Sequence, residues 1–165
     1  METQTFYSNG KLLITGEYVV LDGAKALALP TKFGQSLLVK SGTNQQIKWT
    51  SFDADKSIWF EGMISFEEIK QRTINDSNSA VKNTLIEILH QAFIQNPSFL
   101  EKEGYEIETY LTFPRLWGLG TSSTLINSIA DWLDIDAFEL LQKSFGGSGY
   151  DIACAKSNSP LVYHL

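Results

Sequence analysis

The chain has 165 residues, 43% of them hydrophobic and 19% charged, with a formal net charge of −6. That length fits one ordinary domain, and the acidic balance excludes the broad basic face of a nucleic-acid-binding protein. A single cysteine, Cys154, excludes an intramolecular disulfide, and the two histidines, His90 and His164, lack zinc spacing.

No apolar run approaches the roughly 20 residues that span a bilayer. The first five residues, Met1 to Thr5, have neither a basic region nor an apolar core, so no signal peptide is read there and the expected location is the cytoplasm.

The first third of the chain reads as strands. Phe6-Tyr7 leads into Asn9-Gly10, a turn dipeptide, and Lys11 to Gly16 is a short apolar run. Glu17 to Leu21 is β-branched and aromatic, and Asp22-Gly23 behind it predicts a hairpin turn. Ala26–Leu29 and Ser36–Val39 continue the pattern, and Ile47–Thr50 and Ser57–Phe60 alternate as a further strand pair. Helical spacing then appears at Val81, Leu85, Ile88, Leu89, Ala92 and Phe93, closed by Asn96-Pro97. Tyr105 to Phe113 alternates as a strand with one buried face, and Pro114 ends it. A helix is predicted from Thr121 to Leu133, where Leu125, Ile129 and Leu133 fall on one face. Asp136 is placed to cap a second helix through Leu141. A turn at Gly146–Gly149, a short helix at Tyr150–Ala155 and a strand at Leu161–Tyr163 complete an α+β order. The abrupt stop after that strand reads as a fragment or a short version of a longer protein.

Pro114-Arg115-Leu116-Trp117-Gly118-Leu119-Gly120-Thr121-Ser122-Ser123-Thr124 is the most informative stretch. Its glycines let the backbone approach a ligand, and its hydroxyls fall at a helix N-terminus, where main-chain N–H groups lack partners. Amides, a positive helix end and short hydroxyls form a cradle for phosphate. The stretch is neither a Walker A loop, since it has no lysine, nor a dinucleotide fingerprint, since the third glycine is missing. A plain helix N-cap in a tight turn fits the same residues.

At this loop the sequence resembles the GHMP kinases (galactokinase, homoserine kinase, mevalonate kinase, phosphomevalonate kinase), which have a Pro-x-x-x-Gly-Leu-Gly-Ser-Ser-type loop. Thr121 stands in place of the first serine. Two further segments match in order: Gly10-Lys11-Leu12-Leu13-Ile14-Thr15-Gly16-Glu17-Tyr18, and Gly147-Ser148-Gly149-Tyr150-Asp151-Ile152-Ala153. The Gly-Tyr-Asp-Ile-Ala string is similar to a branch of that superfamily named for those letters. The resemblance implies a GHMP-kinase-like N-terminal domain over 1–165, of the ribosomal protein S5 domain 2-like type, with a mixed sheet packed against helices. It also implies that the family's C-terminal domain, with its third glycine-rich motif, is absent or truncated.

By the same resemblance, ATP and Mg²⁺ are the expected cofactors, and a mevalonate- or phosphomevalonate-like small molecule is the expected phosphate acceptor. Asp151 is the expected catalytic carboxylate and Lys11 its cation partner. Gly118, Leu119, Gly120, Thr121, Ser122 and Ser123 are expected to hold the nucleotide, with Ser122 the candidate magnesium ligand. Glu17 and Tyr18 match positions near the substrate, and tyrosine after the glutamate is more like phosphomevalonate kinase than mevalonate kinase. Each residue has a plainer use as well: Asp151 as a helix cap, Lys11 as an exposed strand lysine, Glu17 and Tyr18 as sheet-edge packing. Arg115 falls in a variable part of the loop, and the four tryptophans read as core or loop packing. Glu139 is the one glutamate in the interval where mevalonate kinase has a magnesium-binding one, but it sits on an amphipathic pattern and receives no such role. The expected partners are the small-molecule substrate and, given the short length, either a second copy of the chain or a separate C-terminal half. A non-catalytic nucleotide- or metabolite-binding half-protein is the competing expectation.

Overall fold

The computed structural model describes residues 3–16 and 19–164. Among them are β1 (Gln4–Thr15), β2 (Ala26–Ser41), β3 (Gln46–Phe52), β4 (Ile58–Ser65), α1 (Phe66–Gln71), α2 (Ala80–Gln95), β5 (Tyr105–Leu111), α3 (Thr121–Leu133), α4 (Ala137–Ser144), α5 (Tyr150–Lys156) and β6 (Leu161–Tyr163). The strands form one mixed sheet in the order β1-β2-β5-β3-β4, with β6 paired to the first residues of β2. Only β3 and β5 run parallel among these pairs. This is the α+β class expected from the sequence.

Alternation along the strands decides which face is buried. Leu37, Val39, Ile47, Trp49 and Ile107 turn inward and meet Ile69, Leu85, Leu89, Ile126, Ile129, Leu140 and Ile152 of the helices. Each such aliphatic side chain contributes about 1.5–3 kcal/mol on burial. The other sheet face holds charges, including a Lys40–Glu108 ion pair at 3.3 Å. Among the described residues, no helix is long and apolar enough to cross a membrane.

Several local expectations are corrected. Asn9-Gly10 is no turn: β1 runs through it with a register shift between Asn9 and Lys11. The predicted strands at 26–29 and 36–39 are two parts of the single 16-residue β2. Pro30 is tolerated inside it because it lies opposite Lys11 at that shift, and Pro is accommodated at bulges. The Lys11 amide there leaves the ladder and donates to the Leu119 carbonyl at 2.9 Å. The Asp22-Gly23 hairpin is also replaced. β1 and β2 do pair antiparallel, but Val20–Asp22 forms a 3-10 turn within a wider connection. The predicted strand at Glu17–Leu21 falls partly outside the described residues, and Val20 and Leu21 belong to that turn.

The six-residue α1 was not anticipated. Ser65 caps it, accepting from the Glu68 amide at 3.1 Å while the Glu68 carboxylate accepts from the Ser65 amide at 2.8 Å.

Candidate active site

The loop between β5 and α3 is built from the strand outward. Tyr105, Ile107, Thr109 and Leu111 keep β5 in the sheet, Pro114 follows its end, and Arg115–Trp117 forms one 3-10 turn. Arg115 ties this turn to the β3–β4 connection. Its amide donates to Asp53 Oδ1 at 3.2 Å, its Nε lies 3.6 Å from Asp53 Oδ2, and its guanidinium sits over the Trp59 ring at 5.2 Å. Arg115 is thus occupied by protein partners, and its role here is to anchor the loop.

Gly120 then takes φ +87°, a left-handed conformation that lets α3 begin at Thr121. No side chain caps α3, and Thr124 N donating to Gly120 O at 3.1 Å is its first turn bond. The main-chain N–H groups of Gly118 to Ser123 have no acceptor among the described residues. They are therefore left as donors at the positive end of a 13-residue helix.

The hydroxyls divide into two pairs. Ser123 is buried and donates to Gly120 O at 2.9 Å, and Thr124 donates to Gln35 Oε1 at 2.8 Å. The hydroxyls of Thr121 and Ser122 make no hydrogen bond among the described residues, and Ser122 is exposed. Of the predicted nucleotide contacts, Ser123 therefore acts first as a brace for the loop, while Thr121 and Ser122 are free to meet a ligand.

Lys11 lies against this loop. A Cβ on Gly120 would stand 3.2 Å from Lys11 Cε and 2.7 Å from Ser123 Oγ, so the lysine stem runs directly across the glycine. The tight fit continues at Gly10, where a Cβ would meet Leu119 O at 3.0 Å. Lys11 Nζ reaches Asp151 Oδ1 at 3.0 Å and donates to the Tyr150 hydroxyl at 3.1 Å, with the Tyr150 ring centroid 5.0 Å away. The contact to Asp151 is an ion pair lacking the alignment of a hydrogen bond, since Oδ1 is buried without a hydrogen-bond partner among the described residues. Burial alone would lower the Lys11 pKa. The Tyr150 hydroxyl and the Asp151 carboxylate outweigh it and hold the ammonium above its ordinary value.

The sequence brought Lys11, Asp151 and the loop together by motif, and the structure places them side by side. It also adds Tyr150, whose hydroxyl meets a residue 139 positions away. The signal within the sequence was only its place immediately before Asp151. Glu17 and Tyr18 lie outside the described residues.

Cys154 follows on α5 and is fully buried. Burial and then the nearby Asp151 charge push its thiol up to about 11, with Lys11 opposing. The native protein is expected to resist a thiol reagent at neutral pH and to react with one equivalent only on denaturation, as a colorimetric thiol titration would read.

A cavity of about 240 Å³ opens beside the loop, with Thr121 and Ser122 in one wall and Trp49, Trp59, Val81 and Leu85 in the others. Gln35, Ser51 and Thr109 supply polar atoms to its lining. The Trp59 indole N–H is buried and has no acceptor among the described residues. A larger cavity of about 690 Å³ lies at other ends of β2 and β5, around Lys40, Phe99, Tyr105 and Trp132, and contains none of the predicted site residues.

No group of three or more His, Cys, Asp or Glu able to hold a metal occurs among the described residues. Mg²⁺ that arrives with phosphates needs only one or two protein ligands and keeps several waters, and the free Ser122 hydroxyl fits that use.

The mixed sheet packed against helices has the fold of the N-terminal domain of GHMP-type kinases. Among solved structures, the chain is similar to the mevalonate kinase of Methanococcus jannaschii, at 15% identity and TM-score 0.70, covering 99% of this chain and 54% of that one. It is similar to a D-glycero-D-manno-heptose 1-phosphate kinase from Bacteroides thetaiotaomicron, at 18% identity and TM-score 0.68, covering 99% and 59%. It is also similar to Streptococcus pneumoniae phosphomevalonate kinase in complex with phosphomevalonate and AMPPNP, at 16% identity and TM-score 0.63, covering 98% and 49%. The chain thus spans about half the length of these structures. No protein-family model and no curated protein sequence matches it.

Proposed function

We propose that the chain is the nucleotide-binding portion of an ATP-dependent small-molecule kinase, which transfers the γ-phosphate of ATP to a mevalonate- or phosphomevalonate-like alcohol or phosphate. The observation that carries this is the position of Lys11: its stem crosses Gly120 of the loop while its ammonium pairs with Asp151. A phosphate held at the loop is thereby brought beside a cation and a carboxylate, the two groups that phosphoryl transfer requires.

In this mechanism the amides of Gly118 to Ser123 hold the phosphate oxygens at the α3 N-terminus. The cavity beside Trp59 takes the nucleoside, and the free indole N–H donates to an acceptor atom of the base. Mg²⁺, with Ser122 as its candidate protein ligand, neutralises phosphate charge when bound. With an alcohol acceptor, Asp151 orients the O–H and receives its proton as the acceptor oxygen bonds to the γ-phosphorus; an ionised phosphate acceptor attacks with no proton to transfer. The bond from that phosphorus to the bridging oxygen breaks, and ADP leaves with the electron pair. Lys11 stabilises the charge spread over the transferring group.

Open apolar surface on β1, β2 and β6 favours contact with a second polypeptide. In register, Leu12 pairs with Leu29, and Leu27 pairs with Thr15 on one side and Val162 on the other. Leu12, Ile14 and Val162 are 48%, 47% and 66% exposed. Such a patch along β1 and β6 suits contact with a second half, or with a second copy.

Calorimetric titration with Mg-ATP tests the proposal. Saturable binding by the wild-type chain and by Asp151→Ala is expected, because the loop amides are intact in both. A well-folded wild-type chain that takes up no Mg-ATP would show that this portion does not form the nucleotide site by itself.

A further inference from the structure

Tyr150 has no role in the account above, yet its hydroxyl is the one described group that receives an aligned hydrogen bond from the Lys11 ammonium, at 3.1 Å. An ammonium has three N–H donors. One goes to Tyr150, Asp151 Oδ1 lies 3.0 Å from Nζ as an ion pair, and the remaining donors are left for phosphate oxygens. The phenol oxygen accepts from Lys11, while the phenolic hydrogen has no acceptor among the described residues. The ring packs beside the ammonium as well, with its centroid 5.0 Å from Nζ. Because Tyr150 and Asp151 are consecutive in the first turn of α5, one helix end fixes both partners of the lysine.

We infer that Tyr150 is a positioning residue for phosphoryl transfer, holding the Lys11 ammonium between the glycine-rich loop and Asp151 and presenting its own O–H to the transferring phosphate. The role rests on the kinase function proposed above and deepens it. A structural alternative is that Tyr150 only fills space in the first turn of α5. The two differ in what happens when the hydroxyl alone is removed. Phenylalanine keeps the ring and its packing, so a space-filling residue would be replaced without consequence for Lys11.

The groups that raise the Lys11 titration are both on α5, Tyr150 and Asp151. Removing the hydroxyl should therefore move the Lys11 titration downward.

The test compares wild-type chain and Tyr150→Phe, each with ¹³C-labelled lysine, the Lys11 signal being assigned with Lys11→Arg. Signals are followed through the alkaline range, alongside Mg-ATP calorimetry and initial rates with mevalonate and phosphomevalonate. The expected result is a lower Lys11 titration midpoint in Tyr150→Phe, Mg-ATP affinity within about twofold, and a rate reduced about tenfold, as loss of one hydrogen bond to a charged group gives. An unchanged Lys11 midpoint would overturn the positioning role, whatever the rate does. A lowered midpoint in a protein whose wild type binds no Mg-ATP would instead support the hold on Lys11 and overturn nucleotide binding by this portion alone.

Discussion

Asparagine in place of Asp151 is expected to lower phosphoryl transfer by about 10²–10⁴-fold, the range for removing a positioned general base. Mg-ATP affinity should change little, because the amides of Gly118 to Ser123 do not involve this side chain. Asparagine keeps the shape of the carboxylate and so isolates its charge. That charge has two uses: receiving the acceptor proton and pairing with Lys11 at 3.0 Å. Loss of the pair alone costs about 1 kcal/mol, since both side chains keep some solvent contact. The effect on rate should therefore far exceed the effect on melting. An assay of ADP release decides it, and a rate within threefold of wild type would remove Asp151 from the chemistry.

Valine at Gly120 is expected to damage binding and stability together. Gly120 has φ +87°, where a residue with a side chain is strained by about 1–2 kcal/mol, and more if β-branched. The new Cβ would stand 2.7 Å from Ser123 Oγ, 3.2 Å from Lys11 Cε and 3.3 Å from Lys11 Cγ. The Ser123 hydroxyl must move and give up its bond to Gly120 O, and the Lys11 stem is pushed aside with it, drawing the ammonium from Asp151. We expect Mg-ATP affinity to fall by at least about tenfold, together with a stability loss of about 2–3 kcal/mol. Gly118→Ala is the control. Gly118 also has positive φ, at +71°, but nothing lies within 4 Å of its Cβ position. Its alanine variant meets the backbone strain without the collision with Lys11. Equal losses in the two variants would show that the space over Lys11 is unimportant.

The sequence made the helices and the loop more legible than the long strands or the side-chain contacts. Leu125, Ile129 and Leu133 marked α3 because a 3.6-residue period needs no distant information, and the observed helix spans Thr121–Leu133 as predicted. Asp136 caps α4 through the Phe138 and Glu139 amides, again a local matter. The continuity of β2 was hidden because Pro30 and Gly34 look like breaks. What permits Pro30 is the shift in β1 and the Leu119 carbonyl that takes the Lys11 amide, more than 100 residues away. The α1 start was visible in principle, since Ser65 and Glu68 have capping-box spacing. Within the site, Lys11, Asp151 and the loop were readable only as resemblance, from three separated motifs. Neither the Tyr150 hydroxyl on Lys11 nor the unpartnered N–H of Trp59 could be read that way, since both depend on which side chains meet across the fold.

The junction between β1 and α5 has a consequence for the order in which the chain becomes competent. Lys11 leaves the ribosome long before Asp151. At about 5–20 residues per second, the interval is on the order of ten seconds. During it β1 and β2 can pair and the loop can form, but the ammonium has neither its hydroxyl nor its carboxylate partner. A nascent chain stalled before α5 would therefore present the open N-terminus of α3 without the Lys11 contacts, and those contacts would form in one step as Tyr150 and Asp151 fold against the first strand.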